Sequence, residues 1–109
     1  MRALFQFLDF SVVVGANGAI DSGPQNVIGT NTDQLSLACE ASGTDAAIEW
    51  LRDSTGVTTS PCQPLSSDYS TETGGTDTDC TLIVQGKSGP FTCFDGSTNA
   101  EAAVILISQ

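Results

Sequence analysis

The stretch that decides the fold is LSLACEASG, at positions 35–43, where apolar or small side chains alternate with polar ones. In an extended strand every second side chain points to the same face, so Leu37 and Cys39 face the same way. The same alternation places Ile48 and Trp50 on one face of a following strand, and Trp50 comes eleven residues after Cys39. We therefore expect both strands to bury one face in a common core.

Two downstream stretches repeat this pattern. In the stretch CTLIV, which begins at Cys80, the alternation predicts that Leu82 points inward. In SGPFTC, which begins at Ser88, it predicts the same for Phe91 and Cys93. A core cysteine, a core tryptophan after the next turn and a second core cysteine far downstream suit two facing sheets. The predicted core residues are Leu37, Trp50, Leu82 and Phe91.

The rest of the chain is also strand-like, and no window carries a useful helical period. Short alternating runs separated by Gly, Ser, Thr, Asn and Asp predict an all-β sandwich or barrel. We expect one domain, 1–109, with an atypical N-terminal strand at 1–16 and a core sandwich at 23–108. Asp21–Pro24 and Asp53–Asp79 are predicted loops, the longer containing a short strand or two or being held by a bridge. The predicted strands are Leu4–Val14, Asn26–Ile28, Gln34–Glu40, Ala47–Arg52, Cys80–Gln85, Phe91–Phe94 and Ala102–Ser108.

Four cysteines allow three disulfide pairings, and histidine is absent. In a small acidic domain this favours an oxidising compartment over a cytosolic protein with four free thiols. A zinc site is not expected without His or short Cys spacings. Asp77 and Asp79 could contribute oxygen ligands to calcium, but a third fixed ligand is missing, so no metal is predicted.

The four stretches LSLACEASG, AIEWLRD, CTLIV and SGPFTC resemble the B, C, E and F strands of immunoglobulin domains. The resemblance covers about Gly23–Ser108 and implies an immunoglobulin-like β-sandwich of two antiparallel sheets, of an intermediate- or variable-like set. It implies that Cys39 and Cys93 form the inter-sheet disulfide against Trp50. The remaining pair, Cys62 and Cys80, would then join the long loop to the E strand.

The sequence departs from the family pattern around its second core cysteine. Phe91 lacks the hydroxyl of the usual tyrosine corner, and Lys87 stands where an Asp is common. The Phe-Gly-x-Gly bulge that follows the cysteine in antigen-receptor joining segments is missing. These departures point away from an antigen receptor and towards another extracellular recognition module.

Thirteen acidic residues against three basic ones give a formal net charge of −10. Binding to nucleic acid requires clustered basic residues, so it is not expected, and a charged partner surface should be basic. No stretch reaches the roughly 20 apolar residues of a membrane span. Without histidine to activate Ser or Thr, we predict no catalytic residues and no cofactor.

The predicted function is protein binding by an extracellular adhesion or immune-type receptor domain, either secreted or the ectodomain of a membrane protein. With Trp50 and Cys93 inward, Leu51, Phe94 and Glu49 should point outward from the same sheet, where they form a candidate interface for a partner protein or a second copy of the chain. The alternative function is a spacer module, which should present a polar surface there.

The N-terminal segment Met1–Ala19 loosely resembles a signal peptide, but Gln6 and Asp9 interrupt its apolar part. We predict that it belongs to the folded domain. A bare apolar edge strand would aggregate, so it should be paired. Pairing within the domain or across a homodimer is expected, and the candidate contact residues there are Phe5, Phe7 and Phe10.

Overall fold

The computed structural model describes residues 19–107, which form an all-β sandwich with no helix in that range. No helix long and apolar enough to cross a membrane occurs in this part of the chain. The strands are β1 (Ala19–Ser22), β2 (Val27–Gly29), β3 (Leu35–Ser42), β4 (Glu49–Arg52), β5 (Thr55–Gly56), β6 (Thr58–Thr59), β7 (Gln63–Pro64), β8 (Ser70–Thr71), β9 (Asp79–Val84), β10 (Gly89–Phe94) and β11 (Asn99–Leu106).

The strands form two facing sheets. The first has the order β1-β3-β9-β8 and the second has the order β2-β11-β10-β4-β5, while β6 and β7 make a separate hairpin. Strand β2 joins β11 in the parallel direction. The pairing of β3 with β9 and that of β10 with both β11 and β4 are antiparallel. The long strands thus follow the antiparallel sandwich predicted from sequence.

The core lies between the inward faces of the two sheets. Along β3, buried and exposed residues alternate from Leu35 to Ser42. The disulfide Cys39–Cys93 joins β3 of the first sheet to β10 of the second, with a Cα–Cα distance of 6.5 Å. The inter-sheet bridge is therefore the one the resemblance implied. The fully buried side chains of the two sheets include Leu37, Trp50, Leu82 and Phe91.

The long segment Asp53–Asp79 is more ordered than a plain loop. It contains the two-residue strands β5 to β8, and the disulfide Cys62–Cys80 ties it to β9. This bridge needs Gly75 beside it, because a Cβ on that residue would lie 2.8 Å from the Cβ of Cys62. Both devices expected for a long loop, short strands and a bridge, are present.

Strand β1 extends into the predicted loop Asp21–Pro24, so that prediction is wrong for Asp21 and Ser22. β1 pairs with the end of β3, where Ala19 faces Ser42. Ile20 is the only residue of β1 that is partly buried. A strand at a sheet edge that buries so little leaves no alternating pattern in the sequence.

The predicted bounds of the other long strands shift by a few residues. Strand β4 begins at Glu49 instead of Ala47, and β11 begins at Asn99 instead of Ala102. The predicted strand Leu4–Val14, with its three phenylalanines, lies outside the described residues, as does Ser108.

Candidate functional site

The outward side of the second sheet presents apolar side chains, and we call it the contact face. Cys93 pairs with Trp50 across β10 and β4, and both are buried. Their neighbours along the strands, Leu51 and Phe94, therefore point outward, and each is partly buried. They line a shallow groove of about 320 Å³ that also borders Thr92.

Two carboxylates flank this groove. Glu49 lies directly opposite Phe94 on β4, and Glu101 lies directly opposite Thr92 on β11. Both glutamates are exposed. The groove therefore presents apolar groups between negative charges, an arrangement that complements a basic surface with an apolar projection.

A second apolar patch on the contact face lies at the edge of the sheet. Ile28 of β2 faces Ile105 of β11 in the parallel pair. Ile28 is 63% exposed and Ile105 is 47% exposed, although isoleucine is usually a buried residue. Ile28 and Ile105, together with Leu51 and Phe94, are thus the large apolar side chains considered on the contact face.

The turn between β10 and β11 is organised by Asp95, whose side chain is fully buried. Its carboxylate accepts hydrogen bonds from the backbone N–H groups of Ser97 (2.8 Å) and Thr98 (2.7 Å). The hydroxyls of the same two residues also donate to it. Thr98 Oγ1 in turn accepts from the backbone of Ile20, at 3.3 Å. A single carboxylate thus fixes the turn and joins it to β1.

Burial raises the pKa of Asp95, but the hydrogen bonds from Thr98 and Ser97 outweigh it and hold the pKa below its usual value. Asp95 was not singled out from the sequence. The signal is present, because Asp-Gly-Ser-Thr is a sequence that favours a turn in which Asp bonds to the backbone two residues on.

Replacing Asp95 with alanine should lower the free energy of unfolding by about 1–3 kcal/mol, because four donors lose their buried acceptor. A carboxyl with a lowered folded-state pKa stabilises the fold above its unfolded pKa, near 4, and that stability is lost as the pH falls through the folded pKa. Urea unfolding from pH 7 to pH 2.5 should show this loss in the wild type. The loss of stability at low pH should be smaller in Asp95→Asn. A pH profile in that variant identical to the wild-type profile would contradict the role given to Asp95.

The remaining polar and cysteine side chains named in the sequence analysis contact other parts of the domain. Asp77 accepts a hydrogen bond from the Ser60 hydroxyl. No group of three or more candidate metal ligands occurs among residues 19–107. Cys62 and Cys80 are buried and joined to each other. The candidate contact residues Phe5, Phe7 and Phe10 lie outside the described part of the chain.

Comparison with known proteins gives structural matches only. Neither a protein-family model nor a curated protein matches the sequence. Domain I10 of titin superposes with a TM-score of 0.65 at 18% identity, over 84% of this chain and 99% of that one. A chain of the complex between titin M10 and an obscurin-like 1 Ig domain superposes with a TM-score of 0.67 at 16% identity. The match covers 88% of this chain and 98% of that one.

The N-terminal Ig1–2 module of the Drosophila receptor protein tyrosine phosphatase DLAR gives a TM-score of 0.68 at 20% identity, over 85% of this chain. The chain spans about half the length of that two-domain structure, 50%. Identities this low establish the fold and not a shared activity. The sandwich, its inter-sheet disulfide and these matches together show that the chain folds as an immunoglobulin domain.

Proposed function

We propose that this domain is a protein-binding module of the adhesion or immune-receptor type, that it works in an extracellular protein, and that it binds through the contact face. The observation that carries the proposal is the pair of apolar patches on the outward side of the second sheet, Leu51 with Phe94 and Ile28 with Ile105. A sheet face with no partner would be expected to carry mainly polar side chains.

Two further observations support the proposal. The matched titin M10 structure is a complex with another Ig domain, so a domain of this fold takes a protein partner there. The two disulfides favour an oxidising, extracellular location. Both sulfur pairs are buried and bonded, which gives them a structural role instead of a catalytic one.

Glu49 and Glu101 set the chemistry of the partner. A heterologous partner should place Lys or Arg against them and an apolar side chain in the groove between Leu51 and Phe94. A second copy of the chain is the other partner we propose. In a two-fold pair the glutamates of both copies would approach each other, so self-association should strengthen when salt screens the repulsion.

The test is sedimentation equilibrium over a range of protein concentrations at low and high salt. We expect the wild type to self-associate reversibly, more strongly at high salt. Phe94→Asp should weaken association at least about tenfold, because it buries a charge in the contact. Ile83→Asp is the matched control, since Ile83 is also partly buried but lies on β9 of the opposite sheet.

Two results would count against this proposal. Equal weakening by Ile83→Asp would show that the Phe94 variant acts through the fold and not through the contact face. A wild type that stays monomeric at every concentration and salt level would remove the second copy as a partner. In that case, a heterologous partner and the alternative of a spacer module that holds neighbouring domains apart would be the remaining candidates.

A further inference from the structure

A cleft separate from the contact face opens at the side of the sandwich. Its volume is about 740 Å³, within the range of roughly 300–1,000 Å³ that is usual for small-ligand sites. Three parts of the chain form its walls: the turn between β4 and β5, the segment between β7 and β8, and the start of β10. Neither Leu51 nor Phe94 borders it.

One wall of the cleft carries a fixed cation. Arg52 follows Ile48 and Trp50 in the inward alternation of β4, and its side chain lines the cleft. The Nε–H of Arg52 donates to the carbonyl oxygen of Ser88 at 2.8 Å. Among residues 19–107, neither terminal nitrogen of this guanidinium has a hydrogen-bond or ion-pair partner. These nitrogens keep the donors that hold a carboxylate with two parallel bonds.

Another part of the lining is largely apolar. The ring of Tyr69 meets Phe91 edge-on, with 6.2 Å between the ring centroids and an interplanar angle of 77°. This contact fixes the ring beside the cleft. Leu65 also lines the cleft and is 58% exposed, and the buried Val57 lines it as well. A hydrophobic group in the cleft would therefore cover apolar surface that is now open to water.

The charge around the cleft makes an unpaired Arg52 unusual. The described residues contain twelve acidic side chains and two basic ones, yet no carboxylate pairs with this guanidinium. Asp53 also lines the cleft, so a ligand with several negative charges would be repelled. The combination suits one carboxylate attached to an apolar group.

We infer that the cleft binds an apolar group that ends in a single carboxylate, with the carboxylate on Arg52 and the apolar part between Leu65 and Tyr69. Two sources offer this chemistry, a small carboxylic acid and the C-terminal residue of a polypeptide. The site is independent of the contact face and of the proposal made for it.

The test is a titration followed by the amide NMR signals of the ¹⁵N-labelled domain. The probes are N-acetyl-L-phenylalanine and its uncharged amide. The acid should bind with a Kd on the order of 1 mM, shift the signals of Tyr69 and Gly89, and bind at least about tenfold more tightly than the amide. A hexapeptide that ends in phenylalanine distinguishes the sources, since at least tenfold tighter binding of the peptide assigns a chain end and equal binding assigns the small acid.

Arg52→Gln should weaken binding of the acid at least about tenfold and leave binding of the amide unchanged. Lys87→Gln is the matched control, because it removes the same charge and Lys87 does not line the cleft. Leu65→Glu changes an exposed residue without touching the core, and it should also abolish binding. Equal binding of acid and amide to the wild type, signal shifts confined to other regions, or acid binding that survives Leu65→Glu would overturn the inference.

Discussion

Replacing Trp50 with alanine is expected to lower the free energy of unfolding by about 3–5 kcal/mol, a large part of the stability of a domain this size. Its side chain is fully buried, and its Nε1–H donates to the carbonyl oxygen of Cys80 at 3.2 Å. Truncation therefore removes buried ring surface, leaves a cavity between the sheets and breaks a buried hydrogen bond.

Urea unfolding followed by far-UV circular dichroism measures this loss, since Trp50 is the only tryptophan and its fluorescence disappears in the variant. Trp50→Phe is the matched control. It retains much of the ring volume but not the N–H donor, so it should lose less than the alanine variant. A loss under about 1 kcal/mol for Trp50→Ala would show that the indole is not packed as described.

Replacing Cys39 and Cys93 together with alanine should lower the free energy of unfolding by about 4 kcal/mol from chain entropy alone. The two cysteines are 54 positions apart, so the bridge restricts a large part of the unfolded chain. Both side chains are fully buried, and the cavity left by the missing sulfur atoms adds to the loss.

The paired variant Cys62→Ala and Cys80→Ala is the natural comparison. Its bridge spans 18 positions, and the same relation gives a loss of about 3 kcal/mol. In thermal unfolding, the double variant that lacks the inter-sheet bridge should therefore be less stable than the one that lacks the Cys62–Cys80 bridge. The reverse order would mean that the bridge of the long segment, and not the one between the sheets, holds the fold together.

The long strands could be predicted because each of them buries one complete face. The alternation around Cys39 and Trp50 follows directly from that one-sided burial. Strand β1 and the two-residue strands between Thr55 and Thr71 carry no comparable pattern, since their side chains are mostly exposed. The Cys62–Cys80 bridge joins the segment that contains these two-residue strands to β9.

The contact face was predicted only in part. The outward direction of Leu51 and Phe94 follows from the inward direction of their neighbours. The exposure of Ile28 beside Ile105 depends on the parallel pairing of β2 with β11, which no local pattern encodes.

The cleft was also missed, although its key residue carries a readable signal. Arg52 continues the inward alternation of Ile48 and Trp50, and a charged side chain at such a position must reach an opening in the core. The shape of the cleft also depends on the turn at Asp53 and Ser54, where both residues have left-handed backbone. The sequence of this turn does not predict that conformation.

The parallel join of β2 and β11 also determines how the domain would carry a mechanical load. The two strands run in the same direction and are held at both ends of β2, where Asn26 accepts from the backbone of Ala103 and Gly29 accepts from that of Ile107. A force that draws the start of β2 and the end of β11 apart acts along both strands. These hydrogen bonds are then stretched in shear and share the force, instead of opening one after another. We therefore expect the pairing at the sheet edge to resist a force applied along these two strands.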